Sequence, residues 1–335
     1  MAPYDAFLLV SFGGPEGPAD VIPFLQNVTA GRGIPPERLE RVAEHYYQFG
    51  GVSPISQQCR DLLAAVAKEF AETGISLPVY WGNRNWQPYL ADTLAQMAAD
   101  GVTRALAFVT SAYSSFSSCR QYLDDIEAAR SKVGPAAPHV DKIRQYYHHP
   151  GFIAANAAAV TRAASTLADP GFDLVFTAHS IPAGMSAVSG PDGGAYPAQL
   201  AEAAGLVAAE AGYRRQWRLA YSSRSGPPSQ PWLEPDINDC LAELAATGSK
   251  AVVVSPIGFV SDHMEVKFDL DVQAAQTASR LGLEFARAST AGTDPRFVAM
   301  IGDLVRERLD GVRPVALGRL GPGPARCPAG CCAGG

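Results

Sequence analysis

Ala251-Val252-Val253-Val254-Ser255-Pro256-Ile257-Gly258-Phe259-Val260-Ser261-Asp262-His263-Met264-Glu265-Val266-Lys267-Phe268-Asp269 carries the signature of the architecture. Its first five residues form a short β-branched run, the pattern of a strand buried on both faces, and the Ser-Pro-Ile-Gly turn stops it. Helical spacing from Met264 then stacks the carboxylates of Glu265 and Asp269 on one face, with Asp262 and His263 at the helix entrance. A strand that ends among ionisable side chains is informative because open α/β sheets bind ligands beyond the carboxyl ends of their strands.

Short apolar runs alternate with helical periodicity along the whole chain, which predicts an α/β protein with mostly parallel sheets. Strands are expected at 7–12, 79–81, 105–110 and 143–147, and again at 174–177, 218–221, 251–255 and 284–287. Helices are expected at 62–70, 90–97, 198–211, 237–245 and 297–308. Four strands plus four strands make two similar doubly wound lobes, 1–148 and 149–313, with the active site in the cleft between them. No residue-level repeat relates the halves. From 314 to 335 the chain is rich in Gly and Pro, a composition that cannot sustain a helix and stays disordered unless something pins it.

The bulk numbers set limits. A length of 335 residues suits two domains. A net charge of -6 gives no electrostatic footprint for nucleic acid. Met1-Ala2-Pro3-Tyr4-Asp5 lacks a basic leader region, and no apolar run approaches the roughly 20 residues of a membrane span, so a soluble cytoplasmic protein without a transmembrane segment is expected. Of six cysteines, Cys59, Cys119 and Cys240 are isolated, whereas Cys327, Cys331 and Cys332 crowd the end. In a long chain without an export signal that crowding reads as thiolate ligands before disulfides, and a bound metal cluster is one way to pin the tail.

The remaining strand ends supply the chemistry. Leu174-Val175-Phe176-Thr177 runs into Ala178-His179-Ser180-Ile181-Pro182, and Thr177 and Ser180 can fix the tautomer of His179. With an ordinary pKa of about 6.5, that imidazole suits a general base or a metal ligand, and equally a hydrogen-bonded structural histidine. Glu265 and Asp269 repel one turn apart unless a cation or shared proton offsets them, although a solvated face shared with Lys267 would also carry them. Together these groups suit a reaction that moves protons and a metal cation. Tyr46-Tyr47-Gln48-Phe49-Gly50-Gly51-Val52-Ser53 reads either as a backbone grip for a carboxylate or as a helix C-cap. Tyr113-Ser114-Ser115-Phe116-Ser117-Ser118 before Tyr122 is a hydroxyl-rich loop at the cleft mouth, or a solvated N-cap region. Gly13-Gly14-Pro15-Glu16-Gly17 lacks the spacing of a phosphate loop, which argues against nucleotide binding. His148-His149-Pro150 is read as the approach to the second lobe rather than a metal pair, since adjacent residues of an extended chain face opposite sides.

The motifs together resemble those of ferrochelatases, which insert ferrous iron into a porphyrin. The resemblance runs through Leu8-Leu9-Val10-Ser11-Phe12-Gly13-Gly14-Pro15, Phe49-Gly50-Gly51-Val52-Ser53-Pro54-Ile55, the His179 segment, Ser225-Gly226-Pro227 with Pro231-Trp232-Leu233, and Pro256 to Glu265. It implies a chelatase fold of two Rossmann-like lobes and a lyase of heme and porphyrin biosynthesis. His179 matches the family's active-site histidine and Glu265 the facing carboxylate, both directed at the substrate iron. Asp269 and His263 extend the metal path along a helix that is often locally wide. Tyr46, Ser53, Tyr122 and Arg38 match positions at the porphyrin or its propionates, and Arg32, in a polar stretch that could hold further acids, and Phe12 are expected to border the porphyrin with them.

The polar stretch 27–44 resembles the soluble coproporphyrin ferrochelatases of Gram-positive, actinobacterial-type bacteria. The implied substrates are coproporphyrin III and ferrous iron, the product coproheme, and the expected state a monomer. A protoporphyrin IX ferrochelatase and a cobalt or nickel tetrapyrrole chelatase are the alternatives. Some relatives carry a tyrosine where this chain has Phe12, and a third carboxylate where it has Gln273. Some ferrochelatases also hold a [2Fe-2S] cluster through C-terminal cysteines and one internal cysteine. Cys327, Cys331 and Cys332 fit the terminal set, but the internal position falls near Ala155, so either Cys59, Cys119 or Cys240 supplies the fourth thiolate or the cluster is absent.

Overall fold

Two four-stranded parallel sheets with the same strand order organise the protein. The first runs β2-β1-β3-β4, built from β1 (Ala6–Ser11), β2 (Val79–Asn83), β3 (Arg104–Val109) and β4 (His139–Lys142). The second runs β6-β5-β7-β8, built from β5 (Asp173–His179), β6 (Arg218–Ser222), β7 (Ala251–Ser255) and β8 (Glu284–Arg287). The computed structural model describes residues 3–227, 229–328 and 330–333. Phe7 lies beside Val79 and Leu106, and Phe176 beside Leu219 and Ser255, so in each sheet the carboxyl ends gather at one edge. No helix among the described residues is long and apolar enough to cross a membrane.

The strands read as continuous apolar runs because both faces are covered. Ala6, Leu8 and Val10 pack on Leu90, Leu94, Met97 and Ile126 from the helices Leu90–Ala99 and Gln121–Val133. Phe7 and Leu9 face the other way into a core that continues through Phe108, Tyr146, Phe152 and Phe297 to Phe176 of the second sheet and Leu200 of the helix Ala195–Glu210. Val175, Val252 and Val254 then cover Leu241, Val266 and Leu270 on the far side.

One expected strand is misplaced. Residues 143–147 are not a strand; β4 is His139–Lys142, an edge strand paired only with β3, which tolerates its alternating polar residues. The apolar side chains at 143–147 are buried for another reason. Ile143, Tyr146 and Tyr147 line the connection between the sheets and sit in the shared core, where the Tyr146 hydroxyl donates to the Val109 carbonyl at 2.9 Å.

The Gly50-Gly51 pair ends the helix Pro36–Tyr47, with Gly51 N–H donating to Tyr46 O at 2.9 Å. Gly51 has φ +74° and a Cβ there would meet Pro18 Cα at 2.5 Å, so only glycine allows this loop to lie on the first lobe. The turn thus serves as a helix terminus, and it delivers Ser53, whose N–H donates to Pro15 O at 2.8 Å. The Gly/Pro tail is pinned by ordinary protein contacts. Arg144 grips Glu307 at 2.8 and 2.7 Å and donates to Val315 O at 2.8 Å, while Leu317 N–H donates to His148 O at 2.8 Å.

Candidate active site

His179 is the last residue of β5, and the turn after β7 is pressed against it. Gly258 makes this possible: a Cβ there would meet Ala178 Cβ at 2.6 Å, and its N–H donates to Thr177 O at 3.0 Å. The loop after His179 is fixed by Ser180, whose hydroxyl donates to Leu233 O at 2.8 Å, so the Pro231-Trp232-Leu233 segment buttresses the imidazole. Nδ1 of His179 donates to the Ser180 carbonyl, which leaves Nε2 directed at Glu265 Oε1, 3.5 Å away.

This pair is an ion pair. Burial alone would lower the His179 pKa, but the Glu265 charge and the hydrogen bonds to Glu265 and Ser180 outweigh it and raise it to about 9. Burial alone would raise Glu265, but the His179 imidazolium outweighs that and holds its carboxyl at about 2. The side chains are 31% and 46% exposed, so the pair is open to solvent rather than sealed from it. On the other side of the carboxylate, His263 Nε2 stands 3.8 Å from Glu265 Oε2, and burial lowers its pKa.

Asp269 follows on a wide helical segment. The α-helix expected from Met264 is α-helical only at its edges: Val266–Ala274 is a π-helix, which continues as the α-helix Ala275–Arg280. Burial, and then the Glu265 charge, push Asp269 up to about 7, while a hydrogen bond from the Ser223 hydroxyl pulls the other way. Ser223 adopts φ 64°, a left-handed conformation unusual for a residue with a side chain.

Asp262 does not join this row. Its carboxylate turns away to Arg287 at 3.1 Å, and its N–H donates to Gln58 of the first lobe at 2.8 Å. Both lobes also meet where His45 stacks on Phe268 with ring centroids 3.6 Å apart.

The first lobe presents an aromatic wall. Phe12, Tyr46 and Trp86 surround Phe24 with centroid distances of 6.2, 6.0 and 6.1 Å. The Tyr46 hydroxyl is shifted upward by burial and, secondarily, by the charge of Glu265, which places it within electrostatic reach of the pair. Ser53 is buried beside Gly14, and Tyr122 is buried under the Arg84 guanidinium, 4.5 Å from its centroid. Arg38 reaches across to the Ser225 carbonyl of the second lobe, and Arg32 is exposed on the preceding connection. The structure brings His179, Glu265, Asp269 and His263 into one cluster, with the imidazole of His179 in direct contact with Glu265. Sequence reasoning missed Arg287, Gln58 and the His45–Phe268 contact, whose local sequence gives no signal, and it grouped Asp262 with the wrong partners.

A second cluster forms far along the chain. Cys119, in the short π-helical turn Phe116–Arg120, lies 3.8 Å from Cys327, and Cys331 lies 3.8 Å from Cys332. Gln145 Nε2 donates to Cys119 Sγ at 2.8 Å, and the Gly190 N–H donates to Cys332 Sγ at 3.1 Å. Hydrogen bonds from Cys327 and Cys332 push the Cys119 thiol down, in the direction of a thiolate. Cys59 and Cys240 are buried in separate apolar cores and do not approach.

Residues 4–309 match the ferrochelatase family model. The chain is 56% identical to the ferrochelatase of Rhodopirellula baltica, over 99% of this chain and 94% of that protein. It is 55% identical to the coproporphyrin III ferrochelatase of Nocardia farcinica, over 98% and 96%, and 52% identical to that of Streptomyces griseus, over 99% and 94%. Among solved structures, SirB from Bacillus subtilis with Fe3+ superposes with a TM-score of 0.52 at 10% identity, covering 91% of this chain and 96% of that one, a likeness of fold.

Proposed function

The chain belongs to the ferrochelatase family, and from that premise we propose that it inserts ferrous iron into coproporphyrin III to give coproheme, with His179 and Glu265 as its catalytic residues. The observation that carries the reading is the His179–Glu265 ion pair at the strand ends, opposite an aromatic wall, on a chain about half identical to coproporphyrin III ferrochelatases over nearly its full length. The lobes divide at residue 148, a boundary supported by the identical strand orders on either side. In this reading the enzyme is a cytoplasmic monomer.

A free-base porphyrin must lose two pyrrole protons as the cation enters. At neutral pH His179 is protonated and paired with Glu265, so it cannot accept a proton. An arriving ferrous ion competes for the same carboxylate. As the cation replaces the imidazolium as partner of Glu265, the main support for the raised His179 pKa is lost, and the imidazole releases its proton to the solvent that reaches it. Nε2 is then a base on the ring face at the moment the ring must be deprotonated. Asp269, near 7, can take up and pass on a proton along the π-helix. Phe12, Tyr46 and Ser53 seat the macrocycle and its acidic periphery, with Tyr122, Arg38 and Arg32 at its rim. Anaerobic incubation with ferrous iron and either coproporphyrin III or protoporphyrin IX, followed by absorbance, tests the assignment. Faster metallation of coproporphyrin is expected; faster metallation of protoporphyrin would shift the substrate, and none with either would remove the activity.

The resident cofactor in this reading is a [2Fe-2S] cluster on Cys119, Cys327, Cys331 and Cys332. What supports this reading is that Cys119 packs with Cys327, Cys331 and Cys332, and that Gln145 and Gly190 donate hydrogen bonds to sulfur. When bound, such a cluster supplies a redox-active centre that ties the tail to both lobes. A brown anaerobic preparation whose visible absorption disappears in Cys119→Ser but persists in Cys240→Ser supports it; a colourless one counts against it.

A further inference from the structure

Asp262, Glu265, Asp269 and Asp271 put four carboxylates into ten residues, yet only Glu265 and Asp269 face His179 and Ser223. The other two are taken up by one side chain. Arg287, the last residue of β8, donates to both oxygens of Asp262 at 3.2 and 3.1 Å. Its Nε donates to Asp271, and its Nη2 reaches the other oxygen of Asp271 at 3.2 Å. Thr290 completes Asp262 at 3.1 Å and Lys267 completes Asp271 at 2.6 Å. Arg287 and Asp262 are each only 15% exposed, so this is a built network and not a surface pairing.

Its location gives it a consequence. Asp262 precedes the wide helical segment and Asp271 lies within it, so the guanidinium ties together two points that flank Glu265 and Asp269. A π-helix is a rare conformation that needs tertiary support. A planar fork with five donors can meet both oxygens of two carboxylates at once, a geometry that the compact ammonium of a lysine does not match.

We propose that Arg287 is a positioning residue for iron insertion: by clamping Asp262 and Asp271 it holds Glu265 against His179 and keeps two surplus carboxylates off the iron path. The inference rests on the ferrochelatase reading. It predicts a defect confined to the metal side, because the aromatic seat of the ring lies in the other lobe. In Arg287→Met, kcat/KM for ferrous iron falls about 100-fold, the scale of a small misplacement of a reacting group, while porphyrin affinity from an absorbance titration stays within about twofold. Arg287→Lys restores about tenfold of that loss, since one charge can still meet one acid. Should Arg287→Met not fold, Asp271→Asn, which removes one arm of the clamp, carries the test with a roughly threefold loss toward iron and unchanged porphyrin affinity. Wild-type efficiency toward iron in these variants overturns the inference, as does an equal loss toward both substrates, the mark of general loosening. If the unsubstituted enzyme metallates no porphyrin at all, the functional reading itself falls and takes this role with it.

Discussion

The two lobes share a strand order and differ in what stands at the strand ends. In the first, the edge is lined by Phe12, Tyr46 and Trp86 around Phe24, with the hydroxyls of Ser53 and Tyr122 near by. In the second, the corresponding edge carries His179, Ser223, His263, Glu265 and Asp269. A duplicated architecture has therefore been furnished with opposite chemistry. A flat, mostly apolar macrocycle needs broad neutral surfaces, whereas a cation and two protons need groups that change charge. The division predicts that second-lobe changes fall on turnover and iron, and first-lobe changes on porphyrin affinity.

The sharpest way to break that division is His179→Ala. Loss of a positioned base lowers turnover about 10²- to 10⁴-fold, while porphyrin binding measured by absorbance stays within about twofold. A comparable loss of porphyrin affinity would place His179 among the ring contacts instead.

Glu265→Gln has the next largest effect, about 10- to 100-fold on kcat/KM for iron, and it moves the pH profile. Without the carboxylate, the main support for the raised value is gone and the His179 pKa falls from about 9, so the ascending limb of the rate shifts to lower pH. Stability shifts too. His179 has its pKa raised, so its contribution is complete below pH 6.5 and is lost as pH climbs through about 9. Glu265 has its pKa lowered, so its contribution is complete above pH 4.5 and is lost as pH falls through about 2. The urea midpoint of the unsubstituted protein should therefore exceed that of Glu265→Gln most between pH 4.5 and 6.5, and a constant difference up to pH 10 would argue against the ion pair.

In the first lobe the expected effect is smaller and of a different kind. Tyr46→Phe removes a hydroxyl but keeps the packing on Phe24, so KM for coproporphyrin rises roughly fivefold, about one hydrogen bond, with kcat and KM for iron unchanged. A fall in kcat instead would make Tyr46 part of the chemistry.

How far the sequence revealed this arrangement depends on the range of the interaction. Val252-Val253-Val254 and Leu8-Leu9-Val10 betray buried strands because burial on both faces leaves a local record. The 143–147 stretch leaves the same record for a different reason, a connection that crosses the shared core, and period alone cannot separate the two. His179 and Glu265 were legible through motif context. The π-helix was not legible from spacing, since an i, i+4 pair looks the same whichever helix closes it. Asp262 misled because its partner, Arg287, lies 25 residues downstream, and the convergence of Cys119 with Cys327, a separation of 208 residues, is a fact of tertiary structure alone.

The smallest effect concerns Ser223, and it separates chemistry from backbone. Its hydroxyl donates to Asp269, and that bond opposes the burial that pushes the carboxyl up to about 7. Ser223→Ala removes the donor, so the pKa of Asp269 rises further, and any limb of the rate profile near neutral pH moves upward by less than about one unit, with at most a threefold loss at pH 7. Ser223→Gly removes the same donor, so its pH profile should match that of the alanine variant. The two should differ in stability, because φ 64° costs an alanine about 1 kcal/mol that glycine does not incur. Coincident pH profiles with a higher melting temperature for the glycine variant would assign the profile to the lost hydroxyl and the stability difference to the backbone. Divergent profiles would show that the left-handed turn itself, rather than the hydrogen bond, sets the charge on Asp269.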